Sequence, residues 1–228
     1  MFTAKRRVHA DELLDRGEAS DAEVRSSLAD LRRINRFLGG RRVLRVLLEE
    51  QVQRTGLRAF SLLDVATGSA DLPAAAARWY PGARVTAVDL HLRHLRFADA
   101  PGVALVCADA FRLPFVPRSF DFVAVSLFLH HLDDGQAAAF LRAAAALARH
   151  AVLVNDLDRH WLPYCFIRAT APLFARSRLT RHDGPASVQR AFARGELERI
   201  AEAAGFARWR ARWHVPFRRS LAIELGEA

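Results

Sequence analysis

Three aspartates stand at matching places along this chain, and together they can hold a ligand. Asp64 closes the apolar run LLD, Asp89 closes VTAVD, and Asp109 follows VALVC within CADAF. In an open α/β sheet, ligands lie beyond the carboxyl ends of the strands, so acids in phase with successive strands form one ligand-facing row. Between the first two runs the chain reads VATGSAD, a small-residue turn whose backbone N–H groups can approach a ligand closely. Asp89 lies 21 residues after Gly68. That is about where an acid meets ribose hydroxyls in such units. The chemistry predicted is binding of an adenosine-containing cofactor. Asp64 orients the turn and a ligand ammonium group, Asp89 takes both ribose hydroxyls, and Asp109 takes an adenine amino group.

A second group can move protons. His130 and His131 sit in SLFLHHLDD, directly after an apolar run. Imidazole titrates near neutral pH, so either ring can deprotonate a phenol or enol. His182 and Asp183, in LTRHDGP on the insertion after the fifth strand, form a further candidate pair, the alternative being a plain turn. Asp133, Asp134, Asp156 and Asp158 also lie near strand ends, but their spacing is not diagnostic of a metal. No metal is expected, and these acids read as solvated surface.

The elements that position these residues follow from periodicity. Strands are predicted at 59–65, 84–89, 103–107, 120–126 and 151–155. Helices are predicted at 71–79, 92–98, 136–150 and 194–204. Strands alternating with helices call for a mostly parallel sheet covered on both faces. Two closing strands, 207–215 and 220–225, have no helix between them and read as an antiparallel hairpin at one edge. Two helices precede the first strand, in residues 21–55, with Gly39 and Gly40 dividing them. They fall outside the βαβ pattern and are read as a helical cap. One domain is expected: the cap at 1–57, a cofactor-binding core at 58–156, an acceptor-site insertion and helix at 157–205, and a hairpin at 206–228.

Composition narrows the class. The 228 residues are 51% hydrophobic, with a formal net charge of +9, and Lys5 is the only lysine. From Arg159 onward there are 13 arginines against 6 acids. A basic third can face RNA, an anionic membrane or an acidic substrate, or be a solvated surface. Cys107 and Cys165 are far apart and suggest neither zinc cluster nor disulfide. The N-terminus lacks an apolar signal core, so a cytoplasmic location is expected. The apolar segment WLPYCFIRATAPLF is too short to span a bilayer, yet leaves room for a peripheral membrane contact.

LLDVATGSADLP, VTAVDL, VCADAFRLPF and SFDFVAVSLFLHHLDD together resemble the successive motifs of class I S-adenosylmethionine-dependent methyltransferases. The similarity is to the small-molecule branch containing ubiquinone and menaquinone C-methyltransferases, and it covers about residues 62–155. LRRINRFLGGRR and LTRHDGP are more loosely similar to bacterial members encoded beside type III polyketide synthases, which implies secondary metabolism. The resemblance implies a Rossmann-like seven-stranded sheet and S-adenosylmethionine as cofactor. It places Asp64, Ala66, Thr67, Gly68, Asp89, Leu90, Asp109, Ala110 and Ser126 around that cofactor. Of the family's loop glycines only Gly68 survives, with Ala66 and Ala70 in place of two others. Alanine disfavours positive φ, so the pocket floor is tighter.

A nicotinamide cofactor would want G-x-G-x-x-G in this turn, and ATGSAD lacks two of those glycines. The segment after the fourth strand lacks the Asn/Asp-Pro-Pro-aromatic motif of base-amine methylation. The cysteines are misplaced for carbon-5 base methylation. The expected acceptor is therefore small and hydrophobic, phenolic or polyketide-like, with O-methylation ahead of C-methylation and His130 or His131 as base. Phe37, Trp161, Tyr164 and His182 are expected to line its site. An RNA methyltransferase using the basic C-terminal third is the alternative.

Overall fold

The computed structural model describes residues 7–8, 12–14 and 17–226. A seven-stranded sheet runs in the order β3-β2-β1-β4-β5-β7-β6. Its strands are β1 (Ser61–Val65), β2 (Arg84–Asp89), β3 (Val103–Cys107), β4 (Phe120–Ser126), β5 (Ala148–Leu157), β6 (Trp209–His214) and β7 (Arg218–Glu224). The first five are parallel, and β7 runs antiparallel to both β5 and β6. Chain order reverses between β1 and β4, and ligands in such sheets gather at that switch.

The helices are α1 (Asp21–Phe37), α2 (Gly40–Thr55), α3 (Asp71–Trp79), α4 (Leu92–Leu95), α5 (Asp134–Leu147), α6 (Trp161–Phe174), α7 (Arg178–Arg190) and α8 (Glu196–Ala203). Strand alternation divides the core. Leu63, Val65, Val123 and Val125 pack on Phe140, Leu141 and Ala144 of α5 and Ile200 of α8. Leu62, Phe122, Ala124 and Leu153 point the other way, onto Leu44, Leu47 and Leu48 of α2 and Leu72 and Ala76 of α3. Successive strand residues face opposite sides, so each central strand feeds both layers.

Two expectations change here. α2 is one of the helices covering the sheet, because its Val43, Leu44, Leu47 and Leu48 stripe is buried against β4 and β5. Of the two N-terminal helices, α1 is the one that stands over the strand ends, as a cap. The segment after β5 is mostly helical, as α6 and α7, and LTRHDGP lies inside α7. Boundaries elsewhere shift by a few residues; β5, for example, extends at both ends to 148–157. Among the described residues, no helix is long and apolar enough to cross a membrane.

Candidate active site

At the carboxyl ends of β1, β2, β4 and β5, under α1, α6 and α7, lies a cavity of about 560 Å³. Its two ends have different chemistry. One end is built from the β1–α3 turn and the ends of β2 and β3. Asp64 is 2% exposed, and its Oδ1 has no hydrogen-bond partner. Burial pushes its carboxyl up to about 7, and the charges of Asp71 and Asp89 add to the rise. Asp89 accepts the Gly68 N–H on Oδ2 (2.7 Å) and the His91 N–H on Oδ1 (2.9 Å). His94 Nδ1 stands 3.1 Å from that same Oδ1. Asp109 Oδ1 accepts the Phe111 N–H at 2.8 Å, which fixes the loop after β3.

The turn itself is strained. Ala66 (φ 56°) and Ala70 (φ 55°) are left-handed, as is Gly68 (φ 59°). Leu127 and Phe217, which also line the cavity, share this conformation (both φ 56°). Non-glycine residues held there cost of order 1–3 kcal/mol each, and such strain collects at functional sites. The two alanines adopt the backbone that the family's glycines would take freely.

A buried polar knot also lines the cavity. Asn35 donates from Nδ2 to Asp71 Oδ1 (3.1 Å), and Arg218 Nη2 reaches Asn35 Oδ1 (3.3 Å). Arg218 is 1% exposed, donates Nε to the Leu38 carbonyl and keeps Nη1 without a partner. Burial brings its guanidinium down to about 10, although Asp156 and Asp71 act against the fall.

The far end is apolar, walled by Leu31, Phe128, Leu132, Leu157, Pro163, Ile167 and Val188, with one polar pole. His130 is 2% exposed, and its Nδ1 lies 2.7 Å from Asp156 Oδ1. Its Nε2 is 3.6 Å from Glu12 Oε1, and His131 Nε2 is 3.8 Å from Glu12 Oε2. Burial works against the charge on His130, yet Asp156 and Glu12 outweigh it and hold the imidazolium up to about 9. Burial likewise pushes Glu12 up, and His130 and His131 overcome it, leaving the carboxyl at about 2.

The sequence-predicted residues divide by location. Asp64, Ala66, Thr67, Gly68, Asp89, Leu90, Asp109, Ala110, Ser126, His130 and His131 all line the cavity. Phe37, Trp161, Tyr164 and His182 are not among its lining residues. Phe37 ends α1 and is 67% exposed, whereas Leu31, Ile34, Asn35 and Leu38 turn inward at helical spacing. On α6 the inward face is Pro163 and Ile167; Trp161 falls on the outer face, and Tyr164 packs against Ile167 and Val188. His182 stays half exposed, 2.9 Å from Asp183. That Asp183 instead accepts the Leu13 and Leu14 N–H groups and ties the N-terminal segment to α7.

Two of the four acids assigned to solvated surface need correcting, whereas Asp133 and Asp134 are exposed as expected. Asp156 is fully buried against His130, and Asp158 is 7% exposed, held by Arg219 and Trp213. Asp133 caps α5. Sequence reasoning missed Glu12 and Arg218. Neither carries a local signal, since one lies in an irregular segment and the other among many arginines.

Comparison with known proteins follows the same lines. Residues 62–151 match the family described as methyltransferase domain. The demethylmenaquinone methyltransferase of Chlorobaculum tepidum is 37% identical over 84 residues, 36% of this chain and 34% of that one. The chain thus matches about a third of the length of that relative. Among solved structures, human N-acetylserotonin methyltransferase in complex with SAM superposes with a TM-score of 0.66 at 17% identity, covering 96% of this chain and 60% of that one. The plantazolicin methyltransferase BamL, in complex with a triazolic desmethylPZN analog and SAH, gives 0.65 at 11% identity, covering 90% and 98%. At these identities the superpositions speak to fold.

Proposed function

We propose that this chain, a class I S-adenosylmethionine-dependent methyltransferase by the domain it carries at residues 62–151, methylates an oxygen of a small hydrophobic acceptor, phenolic or polyketide-like. One observation carries the reading: a single cavity joins a cationic-ligand pocket to an apolar chamber with one polar pole. The first end fits the cofactor. The unpartnered, buried Asp64 Oδ1 suits an ammonium group, and Asp89 beside the Gly68 amide suits a ribose edge. When bound there, the cofactor supplies an electrophilic methyl group on a sulfonium.

The chain's own residues then do three things. Asp64, Asp89 and the strained turn fix the cofactor end, so the reacting centres meet in one geometry; such positioning lowers a bimolecular barrier substantially. Leu31, Phe128, Leu132, Ile167 and Val188 exclude water and bind an apolar acceptor body. Glu12, His130 and His131 form the pole at which an acceptor hydroxyl is held; Asp156 and Glu12 keep His130 protonated, which leaves His131 as the ring that takes the hydroxyl proton. C-methylation of an activated ring would use the same chamber. The outer face of α6, with Trp161, Leu162, Phe166 and Leu173 exposed, supports the expected peripheral membrane contact.

The test is a transfer assay with methyl-labelled S-adenosylmethionine and a lysate of the host. Label is expected in the organic-solvent extract, where mass spectrometry identifies the product and the methylated atom. Label in acid-precipitable RNA would replace the acceptor with nucleic acid.

A further inference from the structure

Glu12, His130 and His131 converge on one point although Glu12 lies far in sequence from the two histidines that follow β4. Each offers a ligand atom, and all these atoms lie within 4.8 Å of one another. We infer that this pole is a binding site for a first-row divalent metal ion of the zinc type, held by the two imidazoles and the Glu12 carboxylate. The inference rests on the proposed function only for the location of the acceptor.

Four observations support it. First, the donor set is right: two histidines and one carboxylate suit zinc and its neighbours, whereas magnesium and calcium prefer all-oxygen sites. Second, the spacing is close to what an ion needs. Bonds of 2.0–2.2 Å in tetrahedral geometry set ligand atoms about 3.4 Å apart. The three ligand atoms lie within 4.8 Å of one another, with His130 Nε2 3.6 Å from Glu12 Oε1 and His131 Nε2 3.8 Å from Oε2, so an ion draws the three groups inward. Third, His130 Nε2 is buried and has no hydrogen-bond partner, and it faces the Glu12 carboxylate. Fourth, the outer shell is in place. Asp156 Oδ1 at 2.7 Å from Nδ1 fixes the ring with Nε2 toward Glu12, where an incoming ion takes the place of the Nε2 proton. A metal-bound histidine almost always has such a carboxylate or carbonyl behind it. Ser187 Oγ donates to Glu12 Oε1 at 2.7 Å, and Arg190 Nη1 stands 3.6 Å from that oxygen, which orients Oε2 toward His131.

Three protein ligands leave at least one position open, and the site borders the acceptor chamber. An ion there acts as a Lewis acid on an acceptor hydroxyl. The O–H bond breaks and its proton passes to solvent. The oxygen lone pair forms the new bond to the methyl carbon, and the S–C bond breaks with its electrons remaining on sulfur. The ion's oxidation state does not change.

The experiment uses the full chain, stripped with a chelator and titrated with cobalt(II), whose visible absorption reports coordination. Zinc competition and metal analysis after dialysis accompany it. One equivalent is expected, with a spectrum lacking thiolate charge transfer and unchanged in Cys107→Ser/Cys165→Ser. Glu12→Gln and the partly exposed His131→Ala should each weaken binding at least about tenfold, and Asp156→Asn by about 10–100-fold. The inference is overturned if the wild type binds no tighter than about 100 μM. It is equally overturned if Glu12→Gln and His131→Ala bind as wild type does. S-adenosylhomocysteine binding, measured on the same metal-free samples, separates the two readings. Retained cofactor binding without metal binding sinks only the metal site.

Discussion

Asp64→Asn is expected to stabilise the ligand-free protein at alkaline pH while weakening its hold on cofactor. Asp64 is buried at the cavity floor with one carboxylate oxygen unpartnered, and burial lifts it from 3.8 to about 7. The sign follows from proton counting. Between those values the folded chain holds a proton that the unfolded chain has released, so stability falls as pH rises. The contribution is fully present below the unfolded value of 3.8 and gone above about 7. Each pH interval of one is worth about 1.4 kcal/mol, giving about 4 kcal/mol in all, of which about 3 kcal/mol falls between pH 5 and 8. Asparagine is neutral throughout, so the variant lacks this dependence. Urea midpoints of both proteins at pH 5 and pH 8 provide the measurement. The variant should gain about 3 kcal/mol on wild type across that interval, on the order of 10 °C in Tm for a chain of this size. S-adenosylhomocysteine should show the reverse pattern, with wild-type affinity rising through pH 7 and the variant's staying flat. A stability difference independent of pH between 5 and 8 would refute the reasoning, because Asp64 would then be ionised in the folded apo-protein. Keeping a carboxyl buried beside two other acids trades stability for binding.

Other substitutions probe the remaining parts. Asp89→Ala removes the acceptor of the Gly68 and His91 amides and the partner of His94. Charged hydrogen bonds are worth about 1.5–3 kcal/mol each, so the Kd for S-adenosylhomocysteine should rise at least about 100-fold by calorimetry. Gly40→Ala places a Cβ 2.4 Å from Asn35 Oδ1 and 2.9 Å from Asn35 Cα. It should displace Asn35 from Asp71 and Arg218 and cost about 1–3 kcal/mol in a urea titration. Ala66→Gly relieves a left-handed alanine (φ 56°). Relief of about 1–2 kcal/mol, less glycine's entropy cost, predicts a gain of about 0.5–1 kcal/mol; a loss would contradict the turn geometry.

Much of this protein is written locally. Runs such as LLDV and VTAVD alternate between the two faces of a sheet, and DLPAAAARW after the first has helical character, so the βαβ order is legible from neighbouring residues alone. The acids that close those strands are legible too, because a parallel sheet sends every such strand end to the same edge. That reasoning places Asp64, Asp89 and Asp109 on the cavity with no tertiary information. It fails wherever a residue's role depends on partners distant in sequence. Asp156 looks like one of several surface acids until β5 and the turn after β4 set it 2.7 Å from His130. Trp161 looks like a lid residue until the rotation of α6 turns Pro163 and Ile167 inward instead. α2 looks like a cap until its leucines meet Phe122 and Leu153. Glu12 and Arg218 sit in segments with no periodicity to mark them, and only packing of the N-terminal segment and β7 against the strand ends brings them to the cavity. Local backbone preference and apolar period determined which elements form and which ends they present; the burial of charges against one another was decided by how those elements close on the sheet.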